Sequence, residues 1–245
     1  MAQHIYDDPT FFEGYSRLPR SLDGLAGAGE WPRLQRLLPP MDGARVIDLG
    51  CGFGWFSRWA RTAGAAEVLG IDLSTRMLQR AEHDTNDVGI TYLQANLEHV
   101  ELLPNSADLV YSSLTLHYLQ DLPRLIAQIA AALVPGGVFV CSVEHPTYTA
   151  PSNAQWQRNA NGSSVWPLDG YSREGVRVTD WLAPGVRKQH RTIETYVMAL
   201  LGAGLRLTDL VEWSPTDADL VAHPEWDAER DRCPFLFLGA QRVSS

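Results

Sequence analysis

Few cysteines and no long apolar run mark this sequence, and both absences limit where the protein can work. No apolar stretch reaches the about 18 residues that a membrane-spanning helix needs. The first residues hold no basic segment followed by an apolar run, so we expect no signal peptide. Cys51, Cys141 and Cys233 lie far apart and form no C-x-x-C pair, which argues against a disulfide framework and a zinc site. These features favour a protein of the reducing cytoplasm.

Basic residues are also sparse. The 20 lysines and arginines are outnumbered by 29 aspartates and glutamates, which gives a formal net charge of −9. Nucleic acids and anionic membranes bind through clustered Lys and Arg, and this chain has no such cluster. We therefore expect a small-molecule partner, no nucleic acid and no membrane. The composition leaves the oligomeric state open.

What the sequence does contain is a regular alternation of strand-like and helix-like segments. We predict strands at 45–49, 67–71, 90–94, 108–112 and 138–143, with helices at 53–62, 74–83 and 122–133. This alternation is typical of βαβ units and a parallel sheet, which defines the α/β class. A helix at 192–203 precedes two further strands at 205–213 and 234–240. The long connection between those two strands predicts an antiparallel closing pair.

The first predicted strand runs into three glycines at alternate positions. Asp48 precedes Gly50, Gly52 and Gly54, so a buried strand ends in a turn at which another molecule can approach the backbone closely. A dinucleotide fingerprint, G-x-G-x-x-G, would need a glycine where Trp55 stands, so the spacing disfavours NAD. No G-K-[S/T] follows, so the turn is not a P-loop. An acid directly before such a turn could face a cationic ammonium group or orient the turn by hydrogen bonds.

Four motifs together resemble the class I S-adenosylmethionine-dependent methyltransferases. They are the signature turn at 48–54, the second-strand motif at 70–74, the fourth-strand motif at 108–114 with His117 and Tyr118, and the post-helix turn at 133–137. They run in the family's order and at its spacings over residues 45–145. The flanks, including residues 188–192, resemble the small-molecule methyltransferases of this class.

The resemblance implies a fold, an activity and a cofactor. The fold is a Rossmann-like, doubly wound, seven-stranded sheet of order 3-2-1-4-5-7-6, mostly parallel with the last strand antiparallel and helices on both faces. The implied activity is methyl transfer from S-adenosyl-L-methionine to a small-molecule acceptor, with S-adenosyl-L-homocysteine as product. We expect one domain over 1–245, with a helical, aromatic-rich lid at 1–40 and a cofactor-binding core at 41–146. The rest is a substrate-side insert at 147–190, irregular apart from weak alternation at 175–181 and of the kind that is usually functional, and a closing helix and strands at 191–245.

The same resemblance assigns cofactor contacts to individual positions. The three glycines would approach the methionine moiety, and Asp72 at the end of the second strand would accept bonds from the ribose hydroxyls. Leu73 and Met77 would flank the adenine. Asn96 and Leu97 stand where many members of the family have an acid and a backbone amide, so here the polar group is an amide. The full predicted set is Tyr15, Asp48, Gly50, Cys51, Gly52, Gly54, Asp72, Leu73, Met77, Asn96, Leu97, Ser112 and His117.

Three residues are candidates for catalysis. Methyl transfer mainly needs alignment of donor and acceptor, and a base is needed only when the nucleophile must lose a proton. His117 follows the fourth strand, and Glu144 and His145 follow the fifth, at the sheet edge where open α/β sheets bind ligands. Packing or capping is the alternative for each of them. Their spacing supports no metal site.

Two other functions remain open at this point. The chain could bind S-adenosylmethionine without transferring its methyl group, or it could be an NAD-type oxidoreductase. Trp55 and the ordered motifs weigh against the second alternative.

Overall fold

The computed structural model describes residues 3–243. The strands are β1 Arg45–Leu49, β2 Glu67–Asp72, β3 Ile90–Gln94, β4 Ala107–Ser113, β5 Leu133–Glu144, β6 Gln157–Arg158, β7 Ser164–Val165, β8 Gly175–Trp181, β9 Ala183–His190, β10 Leu205–Trp213 and β11 Phe235–Arg242. The helices are α1 Pro9–Ser16, α2 Pro19–Leu22, α3 Trp31–Leu34, α4 Trp55–Thr62, α5 Thr75–His83, α6 Leu122–Ala132, α7 Pro146–Thr149, α8 Ile193–Gly202 and α9 Asp217–Ala222. None of the helices in this part of the chain is long and apolar enough to cross a membrane.

Seven strands form one sheet in the order β10-β11-β5-β4-β1-β2-β3. The strands from β1 to β5 pair in parallel, and β11 runs antiparallel to both β5 and β10. The predicted order 3-2-1-4-5-7-6 and the antiparallel last strand are confirmed, with β10 and β11 as the sixth and seventh strands.

Alternating residues of the central strands build the core on both faces of the sheet. Val46 and Leu109 pack with the buried Phe56 of α4, whereas Ile47 and Val110 pack with residues of α6 on the opposite face. Successive strand residues point to opposite faces, so a sheet covered on both sides needs an almost continuous apolar run. These strands have one.

Leu109 gives a direct measure of this core, because its side chain is fully buried in the central strand β4. We expect Leu109→Ala to lower the free energy of unfolding by about 2–5 kcal/mol through lost burial and the cavity it leaves. Val88, which is fully exposed, supplies the control, and Val88→Ala should leave the denaturation midpoint almost unchanged. Equal midpoints for the two variants in urea denaturation would contradict this packing.

The fifth strand is longer than predicted. Strand 138–143 was expected after a Pro-Gly-Gly break, but β5 starts at Leu133 and contains those three residues. The pairing with β4 shifts between Ala107 and Leu109, and Gly136 has a φ of 82°. Residues 135–137 therefore form a bulge, which inserts extra residues into a strand without ending it.

The insert at 147–190 was expected to be irregular, and this was wrong. It contains α7 and two antiparallel hairpins, β6–β7 and β8–β9. Only β8 shows apolar alternation, while β9 carries Pro184, Gly185 and four consecutive polar residues, so the sequence gives no signal for the second strand of this hairpin. Leu182, at a φ of 60°, makes the tight turn between β8 and β9.

Candidate functional site

A cavity of about 260 Å³ lies at the carboxyl ends of β1, β2, β4 and β5. Open α/β sheets bind their ligands at this edge. The walls come from the glycine turn after β1, the N-terminal segment and the β8–β9 hairpin. The three parts that sequence analysis linked to function therefore surround one space.

The glycine turn presents bare backbone to this cavity. Gly50 has a φ of 76° and packs so closely on Thr115 that a side chain would collide with it. Gly52 has a φ of 52°, and a Cβ atom added there would have no atom within 4 Å. Gly54, at a φ of 73°, packs against the Tyr92 hydroxyl and does not line the cavity. Because Gly54 is left-handed, α4 begins at Trp55 and not at Phe53 as predicted.

Asp72 is held as an acceptor beside that turn. Its two carboxylate oxygens accept the backbone N–H groups of Gly52 and Ser74, each at 2.9 Å. Each oxygen keeps lone-pair capacity for a second donor. Removal from water raises the pKa of Asp72, and the backbone bonds oppose that rise. The two oxygens of Asp72 can therefore accept hydrogen bonds from a pair of neighbouring hydroxyl groups.

Asp48 is a second acid in the cavity wall. It is buried, and the Ser57 hydroxyl donates to it at 2.7 Å. Burial raises the pKa of Asp48 to about 7. A cationic group placed beside it would favour the ionised carboxylate and lower that pKa again.

Most of the predicted cofactor residues line the cavity. These are Tyr15, Asp48, Gly50, Cys51, Gly52, Asp72, Leu73, Met77, Asn96, Leu97 and His117. Asn96 also caps its own loop by accepting the Glu98 N–H at 3.0 Å. Ser112 does not line the cavity. It is fully buried and donates to the Leu49 carbonyl at 2.9 Å, whereas its neighbour Ser113 faces the cavity.

His117 lines the cavity, and its ring nitrogens have separate roles as acceptor and donor. Its Nδ1 accepts the backbone N–H of Glu144 at 3.3 Å, so in the neutral ring the proton is on Nε2. Burial, and then the charges of Lys188 and Arg191, hold the pKa of His117 well below its usual range. The resting side chain is therefore a poor general base.

Glu144 is better placed than His117 to accept a proton or a hydrogen bond from a ligand. Its Oε1 pairs with the buried Lys188 ammonium, which also lies 5.0 Å from the Trp181 ring centroid. Its Oε2 is buried and has no hydrogen-bond partner within residues 3–243. Buried carboxylate oxygens are rarely left unpaired, so this atom is available to a ligand.

His145 lies outside the cavity, contrary to its predicted catalytic place. Its Nδ1 accepts the Thr147 N–H at 3.1 Å and caps α7, and its Nε2 lies 3.0 Å from Glu212 Oε1. Pro146 starts that helix, so the residue before it becomes the cap and turns away from the sheet edge.

Two segments meet above the cavity. The Gln3 side chain bonds to the Gly185 carbonyl at 3.0 Å and to the Arg187 N–H at 2.9 Å, which ties the N-terminal segment to the β8–β9 hairpin. Asp7 accepts the Ser74 hydroxyl at 2.7 Å and so anchors the same segment to α5. Sequence reasoning missed these polar ties, because single Gln and Asp residues in irregular segments give no periodic signal.

Comparison with known proteins agrees with this geometry. A family model described as a methyltransferase domain matches residues 47–141. An S-adenosylmethionine-dependent methyltransferase of known structure from Mesorhizobium loti is 51% identical, with a TM-score of 0.87 over 89% of this chain and 100% of that chain. The present chain belongs to the S-adenosylmethionine-dependent methyltransferases. S-adenosylmethionine is accordingly its cofactor.

Other relatives of this methyltransferase add less about its substrate. An uncharacterised protein of Haemophilus influenzae is 33% identical over 98% of this chain and 97% of its own length. A malonyl-[acyl-carrier protein] O-methyltransferase of Pectobacterium atrosepticum is 34% identical, but the match spans 51% of this chain and 49% of that protein.

The walls of the methyltransferase cavity fit this cofactor. The open space at Gly52 admits a ligand against the backbone, Asp72 suits the ribose hydroxyls, and Asp48 suits the methionine ammonium. Within residues 3–243 no group of three or more His, Cys, Asp or Glu side chains could hold a metal ion.

Cofactor affinity should depend on pH through Asp48. Because burial raises its pKa to about 7, the unliganded carboxyl is mostly protonated at pH 6, and an ammonium group bound beside it would have to displace that proton. We expect the affinity for S-adenosylhomocysteine to be constant near pH 8 and to fall about tenfold at pH 6. Titration calorimetry at both pH values checks this. Asp48→Asn should bind S-adenosylhomocysteine more weakly, with an affinity that does not change between pH 6 and pH 8. If the variant kept the pH dependence of the unchanged protein, Asp48 would not be the partner of the ammonium group.

Proposed function

We propose that this methyltransferase methylates a small-molecule acceptor bound between the glycine turn and the β8–β9 hairpin, with Glu144 receiving the proton of the nucleophile. The observation that carries the proposal is the buried Glu144 Oε2, which has no partner within residues 3–243 and belongs to a residue that lines the same cavity as the glycine turn. Bound S-adenosylmethionine supplies an already activated methyl group. The protein then has to align the acceptor, exclude water and take one proton.

The roof of the cavity supports exclusion of water. Tyr6 and Tyr118 join their hydroxyls at 3.3 Å, and the Tyr6 ring packs edge-on against Tyr15. Trp181 of the hairpin packs edge-on against the same Tyr15, with ring centroids 6.5 Å apart. An aromatic roof of this kind suits a lid made by the N-terminal segment together with the insert.

Proton removal falls to Glu144 in this proposal. When the acceptor takes the methyl group, Glu144 Oε2 would receive the proton that the acceptor loses. Lys188 stabilises the carboxylate before the transfer through its ion pair with Oε1. His117 donates its Nε2 proton as a hydrogen bond and positions the acceptor.

A small acceptor fits the charge of the protein as well as the cavity. With a net charge of −9 and no basic cluster, the surface does not favour a nucleic-acid acceptor. One relative that matches over about half of its length is a malonyl-[acyl-carrier protein] O-methyltransferase, so malonyl thioesters belong in the acceptor panel together with free acids, phenols and amines.

Transfer of labelled methyl from S-adenosylmethionine to this panel tests the proposal. We expect transfer to at least one acceptor of small size. Full binding of S-adenosylhomocysteine without transfer to any panel member, or to material extracted from cells, would favour a cofactor-binding protein without transferase activity.

A further inference from the structure

A second cavity, of about 700 Å³, lies between strand β8 and the chain that runs from α7 to residue 155. Glu144, Val176 and Trp181 line both cavities, so the two spaces adjoin at the proposed base. The walls of the second cavity include neither the glycine turn nor Asp72. It is therefore separate from the residues that hold the cofactor.

One buried hydroxyl of this second cavity has nothing to bond to. Thr179 lines the cavity, and its Oγ1 is buried without a hydrogen-bond partner in the described part of the chain. Thr179 lies opposite Val186 in the β8–β9 hairpin, and Lys188 is two residues further along β9. Opposite and alternate residues share one face of a hairpin, so Thr179 and Lys188 are diagonal neighbours on the buried face. Lys188 pairs with Glu144, whose Oε2 is also unpartnered, so both unpaired oxygens lie around one lysine.

The charged side chains of the second cavity balance one another. Three are basic and three are acidic, namely Arg173, Arg177, Lys188, Glu144, Asp169 and Asp180. The Arg177 guanidinium donates to the carbonyls of Ala150 and Arg173 at 3.3 and 2.8 Å. Asp169 accepts the Ser152 hydroxyl at 2.7 Å. The cavity therefore offers a ligand hydrogen bonds and no net charge.

We propose that the acceptor extends from Glu144 into the second cavity, and that this part of it is uncharged and carries a hydroxyl or amide group that bonds to Thr179. Buried polar atoms without partners destabilise a protein, and a ligand that bonds to both Thr179 and Glu144 removes that cost. The inference rests on the proposed function, because Glu144 is the proposed base. It narrows the acceptor to a molecule with an uncharged, hydrogen-bonding tail.

A series of phenols that differ in their tails tests the class of ligand. N-acetyltyramine has an uncharged amide tail, 4-butylphenol an apolar tail, tyramine a cationic tail and 3-(4-hydroxyphenyl)propionate an anionic tail. Titration calorimetry with protein saturated with S-adenosylhomocysteine reads binding without methyl transfer. We expect N-acetyltyramine to bind about tenfold more tightly than the others. Equal or tighter binding of any other phenol, or no binding of N-acetyltyramine, would overturn the assignment.

Thr179→Val removes the hydroxyl at nearly constant volume. Its control is Thr208→Val, because Thr208 is an exposed threonine of strand β10 that lines neither cavity. We expect Thr179→Val to bind N-acetyltyramine about fivefold to tenfold more weakly, with S-adenosylhomocysteine binding unchanged, and Thr179→Ser to restore the affinity. Without ligands, Thr179→Val should melt no lower than the unchanged protein, since it buries one unpaired polar atom fewer. A clearly lower melting temperature would show that the hydroxyl is bonded in the free protein and would refute the site.

Filling the second cavity tests where the ligand lies. Ala154→Trp places a large ring in the cavity from an exposed position, and Ala160→Trp, at an exposed residue of the same insert that lines neither cavity, is its control. Ala154→Trp should bind N-acetyltyramine about tenfold more weakly than Ala160→Trp, with equal binding of S-adenosylhomocysteine. Equal affinities for N-acetyltyramine would refute the site. The expected binding pattern without methyl transfer to any acceptor would contradict the proposed function and leave the site in place.

Discussion

Replacing Asp72 with alanine should weaken S-adenosylhomocysteine binding by about 100-fold or more, because we expect its carboxylate to accept two hydrogen bonds from the ribose hydroxyls. The variant also loses the acceptor of the Gly52 and Ser74 N–H groups, so the glycine turn loosens at the same time. Asp72→Asn keeps one acceptor oxygen, so its affinity for S-adenosylhomocysteine should lie between those of the unchanged protein and Asp72→Ala. Titration calorimetry measures all three proteins.

Asp87 offers a matched control for Asp72. Its carboxylate accepts the backbone N–H two residues later, from Gly89, at 2.8 Å, just as Asp72 accepts from Ser74, but it does not line the cavity. We expect Asp87→Asn to bind S-adenosylhomocysteine like the unchanged protein. Equal affinities of the Asp72 and Asp87 variants for S-adenosylhomocysteine would show that Asp72 does not bind the cofactor.

Glu144→Gln should lower kcat by about 100-fold to 10,000-fold while leaving the affinity for S-adenosylhomocysteine within about threefold, since general bases contribute rate and not cofactor binding. The substitution leaves the Lys188 ammonium buried without its carboxylate. Glu144→Gln/Lys188→Met removes that unpaired charge and should show the same kinetic defect. Steady-state transfer to the acceptor found in the panel measures both.

Glu212→Gln is the control for this second prediction, because Glu212 is half exposed and bonds His145 outside the cavity. Its kcat should be unchanged. If Glu144→Gln transferred methyl groups at the normal rate across pH 6–9, the acceptor would need no base and Glu144 would only hold Lys188.

The sheet could be predicted from the sequence because its signals are local and repeated. Strand β1, the glycine turn and the acid that ends β2 follow one another at the spacings of the family. The order of the seven strands followed from the family resemblance and is confirmed. The α5 boundary was predictable for the same reason, since the Ser74 hydroxyl accepts the Met77 N–H at 3.1 Å and caps that helix.

The walls of the cavity were less predictable because they depend on contacts between distant segments. His145 looked equivalent to Glu144, yet Pro146 makes it a helix cap. Ser112 looked like a cofactor residue. Because successive strand residues point to opposite faces, its side chain is buried in the core, whereas Ser113 lines the cavity. Arg20 and Glu30 are ten residues apart with no periodic link, and only the fold brings them together.

The central claim is that the glycine turn and Asp72 select S-adenosylmethionine. Titration of the unchanged protein with S-adenosylhomocysteine and with NAD tests it most directly. The glycine turn, which has Trp55 where a dinucleotide site needs its third glycine, predicts saturable binding of S-adenosylhomocysteine at one site and no measurable binding of NAD. Binding of NAD, or no binding of S-adenosylhomocysteine at pH 8, would contradict the account.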